Sequence, residues 1–368
     1  MLEDGAAYLG VFLTSAVAAL VATPLIRRLA ARFGAIDRPS DRKVHPRPTP
    51  TLGGLALWFS VLVGLGVAGL MPVFTGLFDV SSEPLGVVLA GTVIVALGSY
   101  DDVRGLSVPA KVAGQVLAGG LLILNGVQLF YFWFPGLGLL SLSPDLSVPL
   151  TLIWILAMIN AVNLIDGLDG LAAGVVAIAA AAFFTYAVGS PIFAGPSPAS
   201  LLCTIVAGAA IGFLPYNFNP ARIFMGDSGS MLLGLLLAAA TISGVGQTTE
   251  PTNTDLAALA IPVAIPLLVL AVPFVDVVWA ILRRIRRGRP VYAPDKEHIH
   301  HRLLEIGHTH RQAVLLMYLW SALLASSALA ITFIQSRALT GILLGGVAAV
   351  LIGTALPRMR RANGRVRT

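Results

Sequence analysis

Charged residues and cysteine are both scarce in this chain, and each scarcity excludes a class of protein. Only 11% of the 368 residues are charged, whereas 57% are hydrophobic. A soluble domain carries about a quarter charged residues, so this composition indicates an integral membrane protein. The single cysteine, Cys203, lies inside an apolar run, which excludes an intrachain disulfide framework and a cysteine-rich metal site.

Long apolar runs take the place of the missing charge. Runs close to the length that a membrane-spanning helix needs, about 20 residues, occur at 7–31, 52–71, 84–100, 107–124, 148–162, 168–188, 199–216, 229–246, 257–282, 312–334 and 339–356. The sequence therefore predicts an all-α, polytopic membrane protein with about 11 transmembrane helices. The stretch 128–149, which proline and glycine interrupt, favours a re-entrant or surface segment. The acidic start, Met1 to Asp4, does not fit a cleaved signal peptide.

Basic residues predict the orientation of these helices. With eleven spans, 23 of the 24 lysines and arginines fall on one side of the membrane, and only Arg337 falls on the other. Because basic loops stay in the cytoplasm, we expect the N-terminus outside and the C-terminus in the cytoplasm. The net charge of +6 is thus explained by topology, and it predicts no nucleic-acid partner.

Uncommon polar residues collect on the cytoplasmic side. We expect one transmembrane catalytic domain, residues 1–357, followed by a basic cytoplasmic tail, 358–368. The predicted active-site loops span about 34–51, 100–107, 160–170, 216–229 and 283–311. The cell membrane is the expected location, with the active site on its cytoplasmic face.

The third loop carries the densest group of polar side chains. Asn160, Asn163, Asp166 and Asp169 recur at every third residue, which places neighbours on one face if the segment is helical. Carboxylates next to membrane-spanning sequence are costly and predict a functional site. A solvated turn between helices is the structural alternative.

Two other loops add carboxylates. The second loop contains Asp101 and Asp102, and adjacent carboxylates repel unless a cation or a shared proton relieves them. Mg²⁺ prefers carboxylates together with substrate phosphates. The fourth loop runs through Phe224 to Asp227, with glycine at 226 and 229, and resembles an anion-accepting turn at a helix N-terminus.

The first and fifth loops are cationic. Proline-rich 34–51 contains Lys43 and His45, and 283–311 contains five of the six histidines. Zinc is an alternative there, but the spacing of the histidines differs from the i, i+4 pair of helical zinc sites. Carboxylates for a cation, basic groups for phosphates and a membrane setting together favour phosphoryl transfer to a lipid. A transporter or lipid flippase is the alternative from another class, but it would place its ionisable residues nearer the bilayer midplane.

Four motifs in this order resemble one family. Asp101-Asp102, Asn160-x-x-Asn163-x-x-Asp166-Gly-x-Asp169-Gly, Phe224-Met-Gly-Asp227-x-Gly-Ser and His298-Ile-His300-His301-Arg302-Leu are similar to the polyprenyl-phosphate N-acetylhexosamine-1-phosphate transferases. The resemblance implies attack of a polyprenyl phosphate on the β-phosphorus of a UDP-amino sugar, with Mg²⁺, or Mn²⁺ as a substitute. The histidine motif is similar to the UDP-GlcNAc branch, which starts envelope polysaccharides and teichoic acids. The donors UDP-MurNAc-pentapeptide and other UDP-HexNAc stay open, as does a homodimer.

The resemblance also implies roles for individual residues. The metal ligands would be Asp227 and Asn163. The implied catalytic residues are Asp101, Asp102, Asp166, Asp169 and Lys111. The implied substrate-binding residues are Lys43, His45, Asn160, Asn219, Phe224, His298, His300, His301 and Arg302. Asp276, in the ninth run, is either a structural partner of an arginine or part of the site. A third aspartate of the family's second-loop motif is absent here.

Overall fold

The computed structural model of the chain describes residues 2–39, 47–134, 138–189, 195–245, 286, 307–333 and 337–355. Its helices are α1 (Leu2–Arg32), α2 (Gly53–Gly69), α3 (Thr75–Val80), α4 (Glu83–Arg104), α5 (Val108–Leu124), α6 (Pro144–Ile165), α7 (Leu171–Gly189), α8 (Pro198–Asn217), α9 (Gly226–Val245), α10 (His310–Phe333) and α11 (Arg337–Ala355). Two antiparallel strand pairs join β1 (Ile36–Asp37) to β2 (Thr49–Pro50) and β3 (Tyr131–Phe134) to β4 (Gly138–Ser141). The predicted all-α class is confirmed for this part of the chain.

The predicted apolar runs coincide with observed helices. Ten of the eleven runs correspond to α1, α2 and α4 through α11, and the ninth run, 257–282, lies outside the described residues. The interrupted stretch before the fifth run forms the β3–β4 pair, and the next helix begins at Pro144, four residues earlier than predicted. The short helix α3 has no predicted counterpart, because six residues are too few to show a helical period.

Seven of the described helices are long and apolar enough to cross a membrane: α1, α4, α6, α7, α8, α9 and α10. The helices α2 and α5 are apolar but have 17 residues each, at the lower limit for a span. The chain is therefore a multi-pass membrane protein by the length and composition of its helices. The predicted number of eleven spans and their orientation stay predictions.

Helix α9 forms the centre of the bundle. It packs against α2, α4, α6, α7 and α8, and its apolar side chains are buried on every side, from Met231 to Ile242. A helix that is hydrophobic all round belongs in the interior of a bundle. The N-terminus of α9 therefore emerges among the ends of other helices, and this is where the polar motifs meet.

Proline and serine define several helix starts. Pro84, Pro109, Pro144 and Pro198 each lie in the first turn of a helix, where the missing N–H group would have no intrahelical partner anyway. In front of α8, Ser197 forms a capping box with Ser200, which satisfies two backbone donors reciprocally. The sequence thus fixes where these helices begin.

Backbone hydrogen bonds join the first loop to the fourth. Residue Phe224 donates its N–H to the carbonyl of Pro50 at 2.9 Å, and its own carbonyl accepts from Gly53 at 3.0 Å. The next residue, Met225, accepts from the N–H of Gly54 at 2.9 Å. Leu52 adopts a left-handed conformation with φ 71°, which turns the chain into α2. The start of α2 is therefore fixed beside the N-terminus of α9.

Candidate active site

Four helix ends converge on one cluster of charged side chains. The C-terminal turns of α4 supply Asp101 and Asp102, and the first turns of α5 supply Lys111. The last turn of α6 supplies Asn163, and the start of α9 supplies Asp227. The predicted meeting of the second, third and fourth loops is thus observed.

Glycine permits the closest of these approaches. A Cβ atom on Gly98 would overlap the backbone of Ser228, so a larger residue there would push α4 away from α9. Gly226 has φ +70°, and a Cβ atom on it would overlap the carboxylate of Asp102. Residues with a side chain rarely adopt this backbone conformation, and the Asp102 carboxylate already fills the space that a Cβ atom would need. Position 226 therefore requires glycine for both reasons.

Asp102 caps the N-terminus of α9 from another helix. Its Oδ1 atom accepts from the N–H of Asp227 at 2.8 Å. Its Oδ2 atom accepts from the N–H of Ser228 at 3.3 Å and from the Ser228 hydroxyl at 2.9 Å. A carboxylate at this position satisfies orphan backbone donors and complements the positive end of the helix dipole. The predicted anion-accepting turn therefore exists, and the anion it holds is a side chain of the protein.

Asp101 belongs to a different set of contacts from its neighbour. Its Oδ2 atom lies 2.5 Å from the Lys111 ammonium, and its Oδ1 atom accepts from the N–H of Leu106 at 2.5 Å. Successive residues of an α-helix point about 100° apart, so the two adjacent aspartates face different partners. Asp101 faces Lys111 at the start of α5, whereas Asp102 faces the backbone of α9.

Asp227 lies at the centre of the cluster. Its Oδ2 atom pairs with the ammonium of Lys111, which also contacts Asp101. Its Oδ1 atom accepts from the Asn163 amide at 2.9 Å, and the same amide nitrogen donates to Ser230 at 2.9 Å. The Asp227 side chain is 27% exposed, so a cation can reach it. As placed, the Asn163 amide orients Asp227 with its NH₂ group; to bind a metal it would have to present its oxygen instead.

The third loop is partly helical and partly a turn. Helix α6 ends at Ile165, so Asp166 and Asp169 lie in the turn before α7 and do not continue the helical face of Asn160 and Asn163. The condition of a helical segment therefore holds only up to Ile165, and Gly167 and Gly170 favour the turn that follows. Burial and the charges of Asp227, Asp102 and Asp169 raise the pKa of the Asp166 carboxyl well above its ordinary value. A cation in the cluster would oppose this shift.

Asp169 connects the third loop to the fourth. Its Oδ2 atom accepts from the Asn219 amide at 2.9 Å and from the N–H of Ala221 at 3.0 Å. One residue later, the N–H of Gly170 donates to the side chain of Asn217 at 3.2 Å. The Asp169 carboxylate and the Asn219 amide thus both hold the fourth loop against the third. In this arrangement Asp169 and Asn219 shape the site, and their predicted catalytic and substrate-binding roles stay predictions.

The N-terminal half of α10 holds the same turn. His310 accepts from the N–H of Asp169 at its Nε2 atom, at 3.0 Å, and Tyr318 donates its hydroxyl to the carbonyl of Gly170. Arg311 donates to the carbonyl of Asn219 at 2.9 Å. Sequence reasoning assigned no role to Tyr318, because a single tyrosine in an apolar helix resembles a packing residue.

Asn160 lies one helical turn away from Asn163 and has other partners. Its amide donates to Gln115 at 2.9 Å and to the carbonyl of Leu156 at 2.7 Å. Gln115 is only 2% exposed and also contacts the sulfur of Met231 at 3.4 Å. This buried contact ties α5 to α6 and α9 beneath the charged cluster. Gln115 was missed by sequence reasoning, although it follows Lys111 at the helical spacing of four residues.

Several predicted site residues remain to be placed. Phe224 is half-buried in the fourth loop, and its predicted substrate-binding role stays a prediction. Lys43, His45, Asp276, His298, His300, His301 and Arg302 lie outside the described residues.

The fold and the site define a helical, multi-pass membrane protein with a carboxylate–lysine cluster at one end of the bundle. A family model described as glycosyl transferase family 4 matches residues 84–245, which include every member of that cluster. The decaprenyl-phosphate N-acetylglucosaminephosphotransferase of Mycobacterium tuberculosis is 40% identical over 359 residues, covering 95% of this chain and 89% of that protein.

More distant relatives carry similar names. A probable undecaprenyl-phosphate N-acetylglucosaminyl 1-phosphate transferase of Bacillus subtilis is 35% identical, covering 86% of this chain and 83% of that protein. The undecaprenyl-phosphate alpha-N-acetylglucosaminyl 1-phosphate transferase of Escherichia coli is 29% identical, covering 82% and 77% respectively. The chain belongs to this family of polyprenyl-phosphate N-acetylglucosamine-1-phosphate transferases, and the resemblance found in its motifs is confirmed.

Proposed function

We propose that the chain transfers GlcNAc-1-phosphate from UDP-GlcNAc to a polyprenyl phosphate, undecaprenyl or decaprenyl. An oxygen of the lipid phosphate forms a bond to the β-phosphorus of the donor. The bond from that phosphorus to the bridging oxygen breaks, and its electron pair leaves with UMP. The product is polyprenyl-diphosphate-GlcNAc, which would begin a cell-envelope polysaccharide or teichoic-acid pathway.

The observation that carries this proposal is the contact of one lysine with two carboxylates, Asp101 and Asp227, at the end of a membrane bundle. Phosphoryl transfer depends mainly on positioning and on neutralising charge. Carboxylates supply sites for a cation, and an ammonium supplies a point charge for phosphate. A cluster at helix ends is also where a membrane lipid and a water-soluble nucleotide can meet.

The contacts of each residue in the cluster indicate its proposed role. Asp102 is saturated by the first N–H groups of α9 and orients Asp227. Asp101 contacts Lys111 instead of the N-terminus of α9, and it is the proposed acceptor of the proton of the lipid phosphate. Since the second proton of a phosphate leaves near pH 6, this deprotonation contributes a modest share of the rate. Lys111 is placed to neutralise charge on the phosphates.

Mg²⁺ is the proposed cofactor, with Mn²⁺ as a substitute. Among the described residues, no group of three or more His, Cys, Asp or Glu side chains is arranged to enclose a metal ion. Mg²⁺ does not need such an enclosure, because it usually combines one or two carboxylates with waters and substrate phosphates. Asp227, supported by Asn163, fits that ligand set and would hold the ion. When bound, it would polarise the β-phosphate and neutralise developing charge.

The proposed location is the cell membrane, with the cluster facing the cytoplasm. The support for this orientation is the distribution of basic residues, which places 23 of 24 on the side of the cluster. A cytoplasmic site also has access to nucleotide sugars.

The test is turnover by purified protein in detergent. The protein is incubated with polyprenyl phosphate, Mg²⁺ and, in parallel, UDP-GlcNAc, UDP-GalNAc and UDP-MurNAc-pentapeptide. We expect UMP and lipid-linked GlcNAc from the first donor. Product from another donor only would overturn the proposed substrate, and the absence of UMP with all three would overturn the proposed reaction.

A further inference from the structure

Every carboxylate oxygen of Asp101 and Asp227 already has a partner within the protein. Asp227 binds Asn163 through one oxygen and Lys111 through the other. Asp101 binds the N–H of Leu106 through one oxygen and Lys111 through the other, at 2.5 Å. Each oxygen of Asp227 keeps a second lone pair, but a divalent cation on this carboxylate would lie close to the Lys111 ammonium, and the two positive charges would repel each other.

Lys111 is the partner that can move. The Asn163 amide is held a second time by the hydroxyl of Ser230 at 2.9 Å. The Lys111 side chain is flexible, and 25% of its surface is exposed. Mg²⁺ binds a carboxylate oxygen at about 2.0–2.1 Å, so an ammonium on the same oxygen would be strongly repelled. Asp101 remains available to hold the displaced ammonium close by.

We propose that Lys111 is an internal cation that occupies Asp227 in the substrate-free protein and gives up this carboxylate when a divalent cation binds. Without the ion, Lys111 keeps the carboxylates of Asp101 and Asp227 from repelling each other. On metal binding, the ammonium stays paired with Asp101 and is presented to the phosphates. Binding of the metal ion is thereby coupled to exposure of the Lys111 ammonium to the phosphates. The inference rests on the proposed metal site at Asp227.

The first test measures binding of Mn²⁺ alone, by electron paramagnetic resonance of substrate-free protein in detergent. Lys111→Met removes a competing positive charge within about 4 Å of the ion. This variant should therefore bind Mn²⁺ at least about tenfold more tightly than the unmodified protein. Asp227→Asn should abolish this binding. The matched control is Arg104→Met, which removes a positive charge whose guanidinium lies over the ring of Tyr100 instead of in the cluster; its affinity should equal that of the unmodified protein. Equal or weaker binding by Lys111→Met would overturn the proposal.

A second test needs no variant and covers the case in which Lys111→Met does not fold. The chain has three lysines, Lys43, Lys111 and Lys296, so acylation of each amine can be followed by mass spectrometry. With Mg²⁺ but no substrate, labelling of Lys111 should rise at least about twofold, because losing a carboxylate partner beside a bound cation favours the neutral amine, which is the form that is acylated. Unchanged or reduced labelling, with metal binding verified in the same sample, would overturn displacement.

Neither measurement uses a sugar nucleotide. Displacement of Lys111 in a protein that makes no UMP from UDP-GlcNAc would contradict the proposed function and support this inference. Normal turnover with unchanged Lys111 labelling would support the proposed function and contradict this inference.

Discussion

Replacing Asp102 by asparagine should lower the stability of the protein, because this carboxylate caps α9. Three donors converge on Asp102: two backbone N–H groups and the Ser228 hydroxyl. Asparagine keeps one acceptor oxygen but puts an NH₂ group where the second oxygen accepted. At least one buried donor then loses its partner, which costs about 1–3 kcal/mol, and the stabilising charge at the helix N-terminus is lost as well.

The assay is thermal unfolding of the purified protein in detergent, followed by tryptophan fluorescence without substrates. A loss of about 2 kcal/mol should lower the apparent midpoint by about 2–3 °C, because the entropy of unfolding grows with chain length. The matched control is Asp145→Asn, the same substitution at an exposed carboxylate in the first turn of α6, where the lost interaction with the helix dipole is worth about 1 kcal/mol or less. Its midpoint should stay within about 1 °C of the unmodified protein.

Activity separates this capping role from direct catalysis. Because Asp102 orients Asp227, we expect Asp102→Asn to lose turnover together with stability. If Asp102→Asn lost all turnover and kept the original midpoint, the reasoning from the cap would be refuted. Asp102 would then act on the substrate itself, as the family resemblance allows.

Three further substitutions test other parts of the site. Asp227→Asn should abolish turnover with the unfolding midpoint nearly unchanged; activity near normal would remove Asp227 from the metal site. Gly98→Ala should lower both stability and turnover, since the added methyl overlaps the start of α9 and overpacking costs about 1–3 kcal/mol. The control Gly120→Ala adds a methyl that meets nothing within 4 Å, and it should leave both unchanged. Tyr318→Phe removes the hydrogen bond to the Gly170 carbonyl, so about 1 kcal/mol of stability and some donor affinity should be lost; an unchanged KM for the donor would show that α10 does not position this turn.

The sequence predicts the helices and the meeting of the motifs well. Apolar runs identify membrane helices because a spanning segment must satisfy its backbone internally and face lipid with apolar side chains. Asp101, Asn163 and Asp227 could be grouped from their motifs alone, and the structure places them in one cluster with Lys111. Each of these residues is costly near a membrane, so their recurrence at predicted helix ends is informative.

The pairing within the cluster could not be predicted in the same way. Asp101 and Asp102 are identical and adjacent, yet one binds a lysine and the other caps a helix, because their directions depend on where α4 crosses α9. That crossing depends in turn on Gly98, which sequence reasoning left among the apolar positions of a span. The same limit applies to Asp169, whose contact with Asn219 requires the folded turn.

The cap on α9 changes how phosphate binding in this site must be explained. A glycine-flanked helix N-terminus favours an anionic ligand, and the motif around Asp227 predicted such a site. In the structure Asp102 already occupies the first N–H groups of α9, so these donors are not available to a diphosphate. In the proposed reaction the phosphates would therefore be bound by side-chain cations, of which Lys111 is the one within the cluster among the described residues. Residues of the histidine and arginine loops would then be needed for affinity, while α9 contributes by fixing Asp227 in the rigid centre of the bundle.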